Sequence, residues 1–287
     1  MANVFSRSFE ITKLSLAVMK EDKELILFPV LAGLFSLAFL AAMLFPTVIT
    51  TFLASGKIGT GLEYVVLFIT YVGLAFIATF FNVCVVYTTK TRFAGGNATF
   101  FESIGFAISR VHIIFLWSLL SATVGLILHV IENAANKSES SGAVVLGITR
   151  ALLGAAWGIV TIFDVPVMVY ERLGPFAAIK SSVGVLRKTW GESLVRAYGL
   201  GLAEFVFLLV GIVVTVGLVV LSGNHIGLLL LVLAVAVMYM LGVILFFSVA
   251  STIFNTALYE YASSGKLPYG YSEETLNSAI NSKNLNV

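Results

Sequence analysis

Residues 101–131 have the sequence FESIGFAISRVHIIFLWSLLSATVGLILHVI, which joins an amphipathic stretch to a long apolar one. From Phe101 to Phe115, apolar side chains recur at steps of three and four residues, which places one apolar stripe on an α-helix. Residues 111–131 then contain no Lys, Arg, Asp or Glu. They are long enough to cross a bilayer core of about 30 Å. The stretch therefore predicts an amphipathic helix followed by a transmembrane helix.

The same plan occurs three times along the chain. Amphipathic segments begin at Phe9, Phe101 and Phe176, and two long apolar segments follow each of them. The second apolar segment of each copy contains Phe followed by Asn or Asp near its end, at Phe81-Asn82, Phe163-Asp164 and Phe254-Asn255. We interpret the copies as pseudo-repeats 1–95, 96–174 and 175–264, each an amphipathic helix plus a transmembrane hairpin. Like-oriented copies favour a pseudo-threefold bundle, unlike the inverted repeats of many transporters.

The composition agrees with this interpretation. The chain is 59% hydrophobic and 11% charged with a mean hydropathy of +1.01, whereas soluble domains carry roughly 25% charged residues. Six segments are long enough to span a membrane: 25–53, 62–88, 111–131, 143–170, 196–221 and 226–258. The predicted fold class is an all-α polytopic membrane protein, with one transmembrane domain over residues 1–264 and a polar cytoplasmic tail over 265–287. Pro46 and Pro166 lie deep in their segments and are candidate kinks.

The charge distribution predicts the orientation and the partners. Of the 17 Lys and Arg residues, 14 fall in the loops that share a side with both termini, and 3 fall on the other side. The positive-inside rule then places both termini in the cytoplasm of a multi-pass cell-membrane protein. Basic amphipathic helices next to membrane spans suit anionic lipid, so membrane lipids are expected partners. A net charge of +2 gives no reason to expect nucleic acid.

Polar residues inside the spans are the candidates for a functional site. Asn82, Asp164 and Asn255 occupy equivalent repeat positions and are expected at one depth near the cytoplasmic side. They either line a shared polar vestibule or hydrogen-bond neighbouring helices and hold the bundle together. Glu204 lies two turns into the fifth span, where it either pairs with Arg196 or faces a water-filled cavity.

The fourth span carries small residues at Gly147, Ala151, Gly154 and Gly158, a pattern that permits close approach of helices. Packing within the chain and contact with a second copy are both compatible with it. No catalytic, cofactor-binding or metal-binding residues are predicted. The single Cys84 excludes a multi-cysteine metal site, and no nucleotide-binding, hydrolase or zinc-binding pattern occurs.

The stretch KEDKELILFPVL, residues 20–31, and the stretch FNTAL, residues 254–258, resemble an uncharacterised prokaryotic family of six-helix integral-membrane proteins, a domain of unknown function. The similarity covers nearly the whole chain and implies a bacterial or archaeal cytoplasmic membrane. The repeated helix-plus-hairpin plan is also distantly similar to the membrane region attached to some glycerophosphodiester phosphodiesterases. Their soluble catalytic domain has no counterpart here, so the resemblance implies no catalytic residues.

The sequence leaves two functions open. The first is a non-enzymatic accessory or scaffold protein without cofactors, which packs with itself or with another membrane complex. The alternative is a small transporter or channel with a polar site around Asp164 and Glu204. A continuous water-accessible cavity lined by either carboxylate would distinguish them.

Overall fold

The computed structural model of the chain describes residues 13, 15–53, 60–138, 140–189, 199–223, 225–271 and 276. Within them the chain is helical, with turns and short connections between the helices. We number the helices α1 to α10: residues 15–21, Glu24–Leu53, Thr60–Phe93, Phe100–Ser109, Val111–Lys137, Ser140–Val160, Asp164–Tyr170, Pro175–Thr189, Gly199–Ser222 and Ile226–Ser264. The prediction of an all-α fold is confirmed for these residues.

Six helical stretches of the described chain are long and apolar enough to cross a membrane, judged by length and composition. They correspond to α2, α3, α5, α6 with α7, α9 and α10. Each begins and ends within several residues of a predicted span. The longest, α10, has 39 residues and rises about 58 Å at 1.5 Å per residue. That is nearly twice a hydrocarbon core of about 30 Å, so one part of α10 can extend beyond it.

The fourth predicted span is not one continuous helix. Helix α6 ends at Val160, residues 161–163 form a turn, and α7 begins at Asp164. Pro166 explains the interruption, because it has no N–H to donate to the carbonyl of Ile162 and its ring clashes with that carbonyl. The candidate kink at Pro166 is therefore confirmed as a break one turn upstream of the proline.

Two of the three predicted amphipathic segments are helices as expected. Phe101 lies in α4 and Phe176 lies in α8, each at the second position. Phe9 lies outside the described residues, although the segment that it begins is helical from residue 15 onwards. A capping box fixes the start of α4. The Thr99 side chain accepts a hydrogen bond from the Glu102 N–H, and the Glu102 carboxylate accepts one from the Thr99 N–H at 2.8 Å.

The chain divides into two compact units. One comprises Met1–Pro29, Thr89–Gly96 and Arg187–Val287, and the other comprises Val30–Thr88 and Asn97–Leu186. In the first unit, α9 and α10 form a hairpin. The Tyr239 hydroxyl donates to the Phe207 carbonyl at 3.0 Å, and the Tyr239 ring lies where a side chain at Gly211 would be. Gly211 is therefore required for this close approach of the two helices.

The second unit contains the α5–α6 hairpin and α4. Trp117 of α5 stacks on Trp157 of α6, with ring centroids 5.9 Å apart. Tyr87 of α3 stacks on Phe106 of α4, with ring centroids 4.3 Å apart. These aromatic contacts join neighbouring helices of the unit.

Burial changes along the helices that end each repeat. In α3, residues 61–78 are exposed or half-buried, and most residues from Phe81 to Phe93 are buried. In α10, residues 226–246 are exposed or half-buried, and Phe247 to Tyr261 are mostly buried. Helix α6 is largely exposed, whereas α7 is largely buried. The packed core of each unit therefore includes the cytoplasmic ends predicted for these helices.

Candidate functional site

Asp164 is the first residue of α7, directly after the break caused by Pro166. Its exposure is 1%, so the side chain lies inside the protein. The turn before it brings the Asp164 N–H to the Thr161 carbonyl at 3.2 Å. The first turn of a helix is the positive end of the helix dipole, which favours a carboxylate such as that of Asp164.

Neither carboxylate oxygen of Asp164 has a hydrogen-bond partner in the described part of the chain, and both are buried. Burying a charged group without a partner is costly. The interpretation of Asp164 as a residue that holds the bundle together requires a hydrogen bond, and the described residues supply none. The side chain instead remains available to a proton, a cation or water.

The repeat equivalents of Asp164 are less buried. Asn82 lies in the same unit as Asp164, and Asn255 lies in the other unit; both are half-buried. The Phe residues before all three are buried, with exposures of 8% for Phe81, 0% for Phe163 and 3% for Phe254. The Phe of the motif is thus buried in all three repeats, while a shared vestibule of the three polar groups stays a prediction.

Glu204 lies in the second turn of α9 and is half-buried. Its proposed partner Arg196 lies outside the described residues. By helical spacing, Glu204 is one turn before Phe207 on the face of α9 that packs with α10.

Three buried serines attach the amphipathic helices to the long helices, and each has an exposure of 0%. The Ser15 hydroxyl of α1 donates to the Ala250 carbonyl of α10 at 3.3 Å. The Ser182 hydroxyl of α8 donates to the Val160 carbonyl at the end of α6 at 2.8 Å. The Ser103 hydroxyl of α4 is hydrogen-bonded to the Thr88 hydroxyl of α3 at 2.7 Å. Each serine contact lies within one unit.

These contacts follow a cyclic order along the repeats. The amphipathic helix of the second repeat contacts the second long helix of the first repeat. The amphipathic helix of the third repeat contacts the second long helix of the second repeat. The amphipathic helix of the first repeat contacts the second long helix of the third repeat, α10. Small residues one turn away accompany two of the serines: Ala107 follows Ser103 and Ala178 precedes Ser182, both with 0% exposure. Sequence reasoning missed this face because it weighed large apolar residues and not small ones.

Several large apolar residues of α4 and α8 point away from the core instead. Phe101 and Phe176 occupy equivalent positions and are 81% and 77% exposed. Ile108 of α4 is 58% exposed. The small side chains at these positions of α4 and α8 therefore face the protein. The aromatic side chains of Phe101 and Phe176 are exposed on the surface. Scattered surface phenylalanines are ordinary, but two at matching repeat positions indicate a common surrounding.

The small-residue stripe of α6 is largely uncovered. Gly147, Ala151 and Gly158 are exposed, and a side chain at Gly147 or Gly158 would meet no atom within 4 Å. Gly154 is half-buried, and a Cβ there would lie 3.9 Å from Leu128. Of the predicted packing residues, Gly154 thus approaches a neighbouring helix within the chain.

The structure also shows polar residues that sequence reasoning did not single out. Asp22, 5% exposed, accepts a hydrogen bond from Arg92 Nε at 2.7 Å and so joins the start of α2 to the end of α3. Arg110, between α4 and α5, has a buried Nε that meets no hydrogen-bond partner among the described residues. Burial, and then the neighbouring Arg172, lower its pKa. The charged run KEDKE, residues 20–24, was the sequence signal that could have drawn attention to Asp22.

No group of three His, Cys, Asp or Glu within the described residues could hold a metal ion.

These features define an all-helical protein with six stretches apolar enough to span a membrane and a repeated contact between amphipathic and long helices. The chain belongs to the family of unknown function DUF6159, which matches residues 61–269. None of the curated proteins compared with the chain matches it.

Proposed function

We propose that the chain is a multi-pass integral membrane protein of a prokaryotic cytoplasmic membrane, with both termini in the cytoplasm. The exposed apolar surface supports this proposal. The most apolar window of α10 has none of its residues buried, and in no candidate span of the described chain does the buried share exceed 33%. Such surfaces need hydrocarbon around them. The positive-inside distribution supplies the orientation.

An enzyme reporter that is active outside the membrane tests the orientation. Fused after Lys266, it gives no signal if the tail is cytoplasmic. Fused after Lys57, in the loop between α2 and α3, it gives a strong signal. A strong signal from the Lys266 fusion would overturn the topology.

Within the membrane, the protein acts as a non-enzymatic scaffold that binds a second copy or another membrane protein through its uncovered helix faces. The observation that carries this function is the stripe of α6, which is shaped for close helix contact and meets none of the described helices at Gly147 and Gly158. Interfaces between membrane helices are rich in such small residues because they let backbones approach.

Cysteine cross-linking in native membranes tests the scaffold. Ala151→Cys places a thiol on the stripe, and Thr149→Cys places one at an exposed position about 160° around the same helix. Replacing the buried Cys84 by Ser removes the natural thiol. We expect Ala151→Cys to form one defined adduct, identified by mass spectrometry, and Thr149→Cys to form much less. Equal yields at both positions would contradict the proposal.

The second candidate function is transport of protons or cations through a site at Asp164. The observation that favours it is the buried carboxylate without a partner at a break between two helical segments. Interrupted helices form ion sites in many transporters. Asp164→Asn preserves the shape of the side chain and removes the charge. Loss of a pH-driven flux in proteoliposomes, with normal folding, would support transport, and an absence of flux in the wild type would exclude it.

A further inference from the structure

The first unit contains an apolar groove that runs along the α9–α10 hairpin to α1. One cavity of about 520 Å³ is lined by Leu16 of α1, Phe207 of α9 and residues 239–247 of α10. A second cavity of about 350 Å³ lies between residues 210–218 of α9 and 231–239 of α10. Tyr239 lines both cavities, so the two adjoin and form one groove.

The side chains that line the groove are almost entirely apolar. Its two hydroxyl groups are already bonded within the chain: Tyr239 donates to the Phe207 carbonyl at 3.0 Å, and Thr215 donates to the Gly211 carbonyl at 2.7 Å. Phe207 to Leu218 spans eleven steps along α9, a rise of about 16 Å. That is about half of a hydrocarbon core of about 30 Å, which is the depth of one leaflet.

The end of the groove at Leu16 is positively charged. Lys13 and Lys20 lie three residues before and four residues after Leu16, so they share its side of the helix, and both are exposed. Glu204 lies one turn before Phe207 on α9, and Glu21, next to Lys20, lies about 140° around the helix from Leu16. On the Leu16 side of α1 the two lysines therefore place positive charge where a lipid headgroup would lie beside an interfacial helix.

We propose that this groove binds an anionic glycerophospholipid of the cytoplasmic leaflet, with one acyl chain along α9 and α10 and the phosphate at Lys13 and Lys20. The proposal rests on the membrane placement proposed above. A docked helix of another protein would also suit the apolar lining, but it would not need the two lysines beside the groove's end.

Photolabelling in proteoliposomes tests the site. Phosphatidylglycerol or phosphatidylcholine carrying a diazirine on one acyl chain is incorporated, and labelling of the peptide containing residues 239–247 is quantified by mass spectrometry. Attraction by a lysine near an anionic headgroup corresponds to about fivefold in binding. We expect the phosphatidylglycerol probe to label this peptide at least fivefold more than the phosphatidylcholine probe.

Variants separate the headgroup from the acyl chain. Lys13→Gln with Lys20→Gln abolishes the difference between the probes, whereas Lys180→Gln, an exposed lysine of α8, preserves it. Gly242→Phe fills the groove and lowers labelling by both probes. Gly217→Phe is the matched control, because Gly217 also has open space around it but lines neither cavity.

Flotation of the proteoliposomes keeps the two proposals distinguishable. Protein that does not float with the lipid refutes the membrane placement itself. Protein that floats but shows equal labelling by both probes, or labelling unaffected by Gly242→Phe, refutes the lipid site and leaves the placement intact.

Discussion

Ser182→Ala is the sharpest test of the contacts that hold the amphipathic helices in place. The break before Pro166 directs the Asp164 N–H to the Thr161 carbonyl, so the Val160 carbonyl does not receive it. The Ser182 hydroxyl fills that role at 2.8 Å. Removing the hydroxyl costs the net hydrogen bond, about 1 kcal/mol, and leaves a partly buried carbonyl without its partner. We expect the free energy of unfolding to fall by about 1–2 kcal/mol.

A loss of this size lowers Tm by roughly 2–3 °C in a protein of this length. Thermal unfolding in detergent micelles can be followed by tryptophan fluorescence, since Trp117 and Trp157 stack within the same unit. Ser181→Ala is the neighbouring control. Its hydroxyl donates to the Glu171 carboxylate at the surface, so its loss should change stability by less than about 0.5 kcal/mol.

Ser182→Thr separates the hydrogen bond from the close packing. It retains the hydroxyl and adds a methyl group at a position with 0% exposure, which should cost about 1–3 kcal/mol through overpacking. If Ser182→Ala lowers Tm no more than Ser181→Ala does, the assignment of Ser182 as an attachment point is refuted.

Three further predictions concern the first unit. Arg92→Gln leaves Asp22 buried without its cation and should lower the unfolding free energy by about 2–3 kcal/mol, whereas the double variant with Asp22→Asn should recover part of that loss in denaturant titrations. Burial raises the pKa of Tyr271 above its ordinary value of 10.0, so its contribution to stability is complete below pH 10 and declines as the pH rises further; Tyr271→Phe should remove this alkaline decline in unfolding measured from pH 8 to 11. Gly211→Ala should lower Tm because the new methyl group meets the Tyr239 ring, and adding Tyr239→Leu should restore most of it, with no recovery contradicting the proposed close approach.

The helices could be predicted from the sequence because their signals are local. Apolar periodicity and length located every long helix to within several residues, and Pro166 marked the break by the chemistry of its own ring. The repeat starting at Phe101 and Phe176 was equally visible, since equivalent residues recur in order along the chain.

The contacts of the site could not be predicted in the same way. Ser15 and Ala250 are 235 residues apart, and no local pattern marks which serine of a helix faces inward. Periodicity placed the large apolar residues of α4 on one stripe without showing what that stripe faces, and the helix packs by Ser103 and Ala107. A stripe predicts that a helix has two faces, but it does not say which face meets protein and which meets lipid when both are uncharged.

The change of burial along α3 and α10 affects how the protein would fit bilayers of different hydrocarbon thickness. Most of the buried residues of α3 and α10 lie in their C-terminal parts, so their N-terminal parts can tilt with the loss of fewer packed contacts, among them the Tyr239–Phe207 hydrogen bond of α10. Helices longer than the local hydrocarbon thickness adapt to it by tilting, at a cost of fractions of a kcal/mol per Å. Embedded in a membrane as proposed, the protein would therefore tolerate bilayers whose thickness varies with temperature and lipid supply.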